Sequence, residues 1–520
     1  MPRLVLALTL VLAGCAGGIP HPVPGTTKIS ATSPATYHFG PTALGQERDA
    51  DYHRAVLSGL IPAPGLEKYL DGIVQRLLAG SPVTGVPARV YVKATSIYGA
   101  ESSGDANIYV NYRTLERVES EDEMAAILAH ELAHVILGHP SADIVEDVQA
   151  RLLRYTNMAL AVHGAVAQRY GVKEGMALHT AAAVGEAALL KLNQGVVGPY
   201  WIRKQEEEAD LFGLDLLIRA GYDPRAMEAS LDRLLAAEKE NLDERGFNEQ
   251  VSTMFKEQWP ELIQQGRDEV AKRVVTMWID SVVKKLKEDH PDTEKRKELV
   301  QKYREKNYAS APLHEPNAAV WRDMTRRKDK QTKRIFQSYS DAITASARLT
   351  QGEKAEALKL ATEAASSDMR QHAFVADALY RVRNANGERR DKTAQVFDPP
   401  VKSSEPAWLA FQELGFAELT TGKRDAGIAI LERGYDRLQR PPHAIPPLLF
   451  AYEQVGAKEK ATALANDCAT RFPRLESVGG CKAHDPNEHA VAKKDGEPAA
   501  ATNDKEAWRK YVPGGGWGHP

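Results

Sequence analysis

The sequence predicts an α+β protein that is predominantly helical, in which a domain with a small sheet precedes an all-α region of paired helices. Between residues 43 and 310 apolar residues recur mostly at helical spacing, and only two stretches, around 88–95 and 107–112, have the pattern of strands. After residue 335 the pattern is helical throughout and glycines interrupt it at intervals. We therefore expect two folded units.

The bulk composition supports this division. A chain of 520 residues exceeds what one hydrophobic core usually serves. It is 43% hydrophobic and 26% charged, as folded proteins are. Its net charge of -3 provides no electrostatic reason to bind nucleic acid, whose phosphates favour a basic surface. Nucleic acid is therefore not an expected partner.

Residues 1–15 have the pattern of an export signal. Arg3 precedes an apolar run, residues 4–12, that is too short to span a bilayer, and Leu-Ala-Gly-Cys follows, ending at Cys15. This sequence resembles the lipobox of bacterial lipoproteins, which implies lipidation of Cys15. The alternative is an ordinary secretory leader with a chance cysteine. With Ala16 next, the resemblance implies a periplasmic protein anchored by lipid to the outer membrane.

The segments flanking the folded units differ in composition. Residues 16–42 are rich in Gly, Pro, Ser and Thr and are expected to form a linker, and residues 483–520 are expected to be a disordered tail. Once Cys15 is lipidated, Cys468 and Cys481 remain, and an oxidising periplasm would allow them to form a disulfide. The alternative is two free buried thiols.

Residues 335–482 contain helix pairs with a unit of about 34 residues, which is similar to a tetratricopeptide-type solenoid. The pairs are 407–422 with 423–438 and 446–456 with 457–472. Small residues are expected where the helices touch, namely Gly415, Ala426, Ala429 and Ala461. An unrelated helical bundle is the alternative.

A buried helix carries the chemistry. Ser120 and Glu123 form a capping box before an apolar run, residues 124–137. Within it His130 and His134 lie about 40° apart around the helix axis, with Glu131 on the flank of the same arc. Imidazoles one turn apart can share a zinc ion, and the adjacent Glu can face a water at that ion. Coincidence is the alternative.

The third ligand distinguishes families of zinc enzymes. A metzincin would need glycine and histidine where Leu137 and Pro140 stand, so that group is excluded, and His139 is assigned to the helix end. A second helix, around residues 204–220, begins with three Glu, residues 206–208, followed by Asp210. Periodicity does not choose among the three, and a solvated acidic first turn is the alternative.

Three motifs in order carry a family resemblance. They are His130-Glu-Leu-Ala-His134, then Glu206-x-x-Ala-Asp210 leading into Gly-Tyr-Asp-Pro at 221–224, then Asp-His-Pro at 289–291 with Arg296 beyond. Over roughly residues 43–305 the chain resembles the gluzincin metallopeptidases of the HtpX and BepA branch, the group that also holds the CAAX prenyl proteases. The helical repeats resemble the BepA arrangement in particular.

The resemblance implies a role for each matching residue. The ligands of one zinc ion per chain would be His130, His134 and Glu206, and Glu131 would be the catalytic base. Asp210 and Arg296 would stand behind the ligands, where outer-shell groups orient them.

Two further assignments come from the same resemblance. His290 would lie near the metal, where it could either assist catalysis or occupy the open coordination position. The substrate-pairing edge strand would comprise Asn107, Ile108, Tyr109 and Val110. The family's usual Pro-Gly-Gly before that strand is replaced here by Ser-Ser-Gly-Asp at 102–105, which leaves the shape of the cleft open.

Together these features predict a zinc metalloendopeptidase. By resemblance its substrates would be unfolded or misassembled envelope proteins, in quality control of outer-membrane proteins, with the repeats docking to assembly machinery. The alternative is a chaperone or scaffold that acts through its repeats around a closed, structural zinc site.

Overall fold

The computed structural model describes residues 45–56, 58–139, 203–241, 293–472 and 481. The leader with Cys15, the 16–42 linker, His290 and the 483–520 tail lie outside the described residues. Within the described ranges no helix has the length and apolar character required to cross a bilayer.

Helices dominate both halves of the chain, as predicted. The N-terminal half consists of α1 (Gln46–Ala55), α2 (Pro64–Ala79), β1 (Arg89–Lys93), β2 (Ala100–Ser102), β3 (Asn107–Asn111), α3 (Tyr112–Arg117), α4 (Glu121–Leu137), α5 (Arg203–Arg219), α6 (Ala226–Asn241) and α7 (Thr293–Asn307). The C-terminal half consists of α8 (Ala318–Asp323), a π-helical turn (Met324–Lys328), α9 (Lys330–Thr350), α10 (Lys354–Ala364), α11 (Ala373–Ala385), α12 (Arg390–Thr393), α13 (Asp398–Lys402), α14 (Trp408–Thr420), α15 (Arg424–Arg437), α16 (Ile445–Val455) and α17 (Lys458–Arg471). Short 3-10 turns occupy Ser367–Gln371, Ala394–Phe397 and Pro442–Ala444.

The described sheet has three strands in the order β1-β3-β2, which corrects one prediction. Strand β3 pairs in parallel with β1 and antiparallel with β2, so the strand that holds Asn107, Ile108, Tyr109 and Val110 is central. All four residues are fully buried. A strand with neighbours on both sides has no free backbone groups for a substrate, so the assignment of β3 as the edge strand was wrong. Within the described sheet, β2 is therefore the edge strand next to β3.

Helix α4 begins and ends as its sequence predicts. The Ser120 side chain accepts a hydrogen bond from the Glu123 backbone N–H, which caps the first turn. The helix ends at Gly138, which adopts the left-handed conformation at φ 68°. All but a few side chains between these ends are buried, so the helix runs through the core.

The apolar core continues from the N-terminal half into α9, α10 and α11. One cluster of buried residues includes Leu128 of α4, Tyr339 of α9 and Val375 of α11. The end of α1 joins a second cluster, in which Ala55 packs with residues of α11 and α14. The continuity means that the core does not stop at residue 310.

Helix α1 is held between the two halves. The Arg54 guanidinium donates to Glu405 at 2.7 Å, and a ring nitrogen of His443 lies 3.0 Å from the Ala55 carbonyl oxygen. On its other side Asp49 accepts hydrogen bonds from Asn107 and Tyr109 of β3. One ten-residue helix therefore contacts both the sheet and the C-terminal helices.

The predicted helix pairs are present in the C-terminal half as α14 with α15 and α16 with α17. Their close approach depends on glycines: a Cβ at Gly415 would lie 2.7 Å from a Leu431 carbon, and one at Gly427 would lie 2.7 Å from the Gly415 carbonyl oxygen. Ala426 and Ala429 are exposed, so their placement at the contact was wrong. The face of α15 that contacts α14 instead includes Gly427, one residue after Ala426. Cys468 and Cys481 form a disulfide with Cα atoms 5.4 Å apart.

Candidate metal centre

Helices α4 and α5 pack closely at the point where the polar residues of both helices meet. Gly213 of α5 makes this approach possible, because a Cβ there would lie 3.0 Å from the His130 backbone nitrogen. Glu206, Asp210 and Gly213 follow one another at spacings of four and three residues, so they share one face of α5. That face is directed at His130 and His134 of α4.

The three predicted ligands come together. Nε2 of His130 lies 3.1 Å from Nε2 of His134. The Glu206 carboxylate oxygens lie 3.7 Å from Nε2 of His130 and 3.4 Å from Nε2 of His134. Atoms bound to one tetrahedral zinc at about 2.0–2.1 Å are roughly 3.3–3.4 Å apart. The donor types and their spacing therefore fit a zinc ion, and within the described residues these three form the candidate metal cluster.

Asp210 and Arg296 stand behind this cluster. Oδ1 of Asp210 lies 2.9 Å from Nδ1 of His130, and Arg296 donates to both Asp210 oxygens, at 2.7 and 2.8 Å. A third guanidinium nitrogen lies 2.7 Å from Glu206 Oε2. Burial alone would raise the pKa of both carboxyls, but the Arg296 charge outweighs it and holds the pKa of Glu206 and of Asp210 below the usual range.

The two imidazoles differ in electrostatic environment. Burial works to lower the pKa of His130, but the hydrogen bond and charge of Asp210 raise it above the usual value. His134 is fully buried, and desolvation lowers its pKa to about 3. His134 is therefore neutral at ordinary pH, the form in which imidazole binds a metal.

Glu131 is buried beside this cluster on α4. Burial raises the pKa of its carboxyl to about 7, with the charge of His130 and the nearby Ser102 hydroxyl of β2 acting in the opposite direction. Its Oε2 atom has no hydrogen-bond partner among the residues that the structure describes. A carboxyl with a pKa near neutrality can both take up and release a proton at working pH.

His139, assigned from the sequence to the helix end, also belongs to this site. Its backbone N–H donates to the His134 carbonyl at 3.0 Å, and its Nδ1 lies 2.9 Å from Nδ1 of His134. Glu208 of α5 lies on its far side. The sequence signal that could have identified it is the glycine before it, because a left-handed residue at the end of α4 turns the chain back towards the preceding turn.

Residues 66–304 match the family model described as Peptidase family M48. The Beta-barrel assembly-enhancing protease of Escherichia coli (strain K12) is 25% identical over 197 residues, which cover 37% of this chain and 38% of the relative. Metalloprotease YcaL of Escherichia coli (strain K12) is 26% identical over 155 residues, 30% of this chain and 54% of that protein. Mitochondrial metalloendopeptidase OMA1 of Schizosaccharomyces pombe is 26% identical over 170 residues, 33% of this chain and 44% of that protein.

The matches cover only part of each protein. The chain spans less than two thirds of the length of these relatives, and the region that matches the family model lies within the half that holds the metal cluster. The motif residues His130, Glu131, His134 and Glu206 all fall inside it. Residues 66–304, which hold the metal cluster, are therefore similar to the metallopeptidases of peptidase family M48.

Proposed function

We propose that this chain is a zinc-dependent endopeptidase in which His130, His134 and Glu206 hold the metal and Glu131 is the base. The observation that carries the proposal is the spacing of the three donor groups, 3.1 to 3.7 Å, with a buried carboxyl beside them. The match of residues 66–304 to the model of peptidase family M48 supports the same assignment.

The chemistry divides between the metal and the side chains. When bound, zinc supplies Lewis acidity, which makes a water more acidic and polarises the substrate carbonyl. Glu131 takes the proton of the attacking water and passes it to the leaving amine. Asp210 holds the His130 ring through Nδ1, and Arg296 holds Asp210 and Glu206 in turn. These contacts keep the ligand set in place through the reaction.

We propose that an extended substrate pairs with β2. Ser103 N–H donates to the Asn107 carbonyl and Asn111 N–H donates to the Gly99 carbonyl, which makes 99, 101 and 103 the residues bonded to β3. In an antiparallel pair the residues between them direct their backbone groups the other way, so those of Ala100 and Ser102 face away from β3. Ser102 lies beside Glu131, which would bring a bound peptide to the base.

The finer proposal concerns the substrates and their location. One relative carries the name Beta-barrel assembly-enhancing protease, and we infer that unfolded or misassembled envelope proteins are the substrates here, in quality control of outer-membrane proteins. The C-terminal helix pairs, arranged as a tetratricopeptide-like solenoid, would select these clients or dock to assembly machinery. A lipid at Cys15 would hold the enzyme on the periplasmic face of the outer membrane.

Experiment separates this proposal from a chaperone with a closed zinc site. Glu131→Gln removes the base and leaves all three ligands, so we expect it to retain zinc and its melting temperature but to lose cleavage of a loosely folded protein such as casein by on the order of 100-fold or more. Mass-spectrometric detection of cleavage products and zinc analysis measure the two effects. Equal cleavage by Glu131→Gln and the wild type, or none by the zinc-loaded wild type, would overturn the endopeptidase.

A further inference from the structure

His139 lies directly behind His134, on the side away from the metal cluster. The left-handed Gly138 ends α4 and returns the chain, so that Nδ1 of His139 lies 2.9 Å from Nδ1 of His134. The two rings are edge-to-face with centroids 4.9 Å apart. His139 is only 6% exposed, so its ring is held by the core.

Glu208 continues this series of contacts from α5. Its Oε2 lies 3.4 Å from Nε2 of His139, and its side chain is about one third exposed. Two residues earlier on the same helix, Glu206 approaches the opposite nitrogen of His134, at 3.4 Å. Nε2 of His134 therefore faces Glu206 of α5 directly, and Nδ1 of His134 is linked to Glu208 of α5 through His139.

One arrangement of protons satisfies all of these contacts. When Nε2 of His134 binds a metal, its proton must be on Nδ1. That N–H can donate only if Nδ1 of His139 accepts, which places the His139 proton on Nε2. This second N–H then faces the Glu208 carboxylate, which is an acceptor.

We propose that His139 and Glu208 are positioning residues that hold His134 in the tautomer and orientation that bind the metal. They serve His134 as Asp210 serves His130, and the inference rests on the proposed zinc site. Removing an outer-shell partner of a metal ligand typically costs about 10–100-fold in metal affinity. His139 does not itself reach the metal, because its Nδ1 is directed at the far side of the His134 ring.

A matched pair of substitutions separates positioning from simple packing. Asn at 139 places its side-chain oxygen near the position of Nδ1 and can accept the His134 proton, whereas Leu is of similar size and can accept nothing. Both substitutions remove the imidazole ring, so the packing contacts of the ring are lost to a similar extent. If His139 only fills space at the end of α4, the two variants should bind zinc alike.

The experiment measures zinc affinity of the full-length protein by competition with a chromogenic chelator. We expect His139→Leu to bind zinc 10–100-fold more weakly than the wild type, His139→Asn to stay within about 3-fold, and Glu208→Ala to fall between them. Glu207→Ala, one residue away on α5, is the control and should match the wild type. Melting of the metal-free proteins provides the structural readout, and it should not separate Leu from Asn.

Each outcome is informative. Wild-type affinity in His139→Leu, or an equal loss in His139→Leu and His139→Asn, would overturn the positioning role while leaving the zinc site intact. Failure of the wild type to bind zinc would instead overturn the proposed function on which the inference rests. Should His139→Leu not fold, an unchanged affinity in Glu208→Ala would be the result that refutes the series.

Discussion

Arg296 is the buried cation of the site. Its contacts determine how far its removal should lower the melting temperature of the protein. In Arg296→Met two carboxylates, Asp210 and Glu206, lose a partner at 2.7–2.8 Å while remaining largely buried. Breaking a buried ion pair by removing one partner costs about 3–5 kcal/mol. At roughly 2–4 °C per kcal/mol, the scale for a unit of about 150–250 residues, this cost lowers the melting temperature of the metal-free protein by about 6–20 °C, and the longer cooperative unit of this chain should give a shift towards the lower end of that range.

Zinc should restore part of this loss, because a bound cation neutralises Glu206 in place of the guanidinium. We therefore expect saturating zinc to raise the melting temperature of Arg296→Met more than that of the wild type, as measured by differential scanning fluorimetry. Lys302→Met is the control on the same helix, since Lys302 forms an exposed pair with Glu298 and such pairs contribute about 0–1 kcal/mol. Metal-free Arg296→Met melting within about 2 °C of the wild type would refute the reasoning.

Lowering the pH should reduce the difference in melting temperature between the metal-free wild type and metal-free Arg296→Met. Arg296 holds the pKa of Asp210 below its usual value, so the stability it provides is present above the unfolded pKa of about 4. That stability is lost as the pH falls through the lowered pKa of the folded state. The melting temperatures of wild type and Arg296→Met should therefore converge below about pH 4, and a constant gap across this range would contradict the electrostatic cause.

Three further results are expected. Glu206→Gln should lose most bound zinc while Glu207→Gln keeps it, and metal analysis giving equal zinc for both would exclude Glu206 as the ligand. Ala100→Pro removes an outward N–H from β2 and should raise KM for casein at unchanged zinc content, whereas an unaltered KM would remove β2 from the substrate cleft. His290→Ala should raise proteolysis if His290 occupies the open metal position and lower it if it assists catalysis, and unchanged cleavage would exclude both roles.

The ligand helix could be read from the sequence because its signals are local. Ser120, Glu123 and Gly138 cap α4 within one turn of each end, and the His spacing follows from helix geometry. The choice of Glu206 over its neighbours was different, since three consecutive Glu are equivalent by pattern and only the packing of α5 on α4 separates them. Glu206 was chosen because it matches the motif of the family, since helix periodicity and capping do not distinguish it from Glu207 and Glu208.

The wrong predictions concern features that depend on which strands and helices pack against each other in the folded chain. The β3 segment, Asn-Ile-Tyr-Val-Asn, carries Ile108 and Val110 on one face and Tyr109 between two Asn on the other, which does not reveal whether the strand is central or at an edge. Its partner β2 is only three residues long and has no strand pattern. On α15 the alanines and glycines lie one residue apart, so helical periodicity alone did not fix which residues, Ala426 or Gly427, face α14. His139 was assigned only to the helix end, because it follows α4 and helical periodicity does not show that it contacts His134.

The position of α1 affects how the molecule comes apart. Since Asp49 is bonded to the sheet and Arg54 to the C-terminal helices, heat or urea cannot release one half without breaking contacts that also hold the other. The shared core of α9 and α11 adds to this coupling. The two regions should therefore denature in a single transition. A chain shortened past Ala55 would expose apolar residues of the C-terminal helices and would leave Asn107 and Tyr109 of β3 without Asp49, so a peptidase fragment begun after α1 is a poor choice for expression.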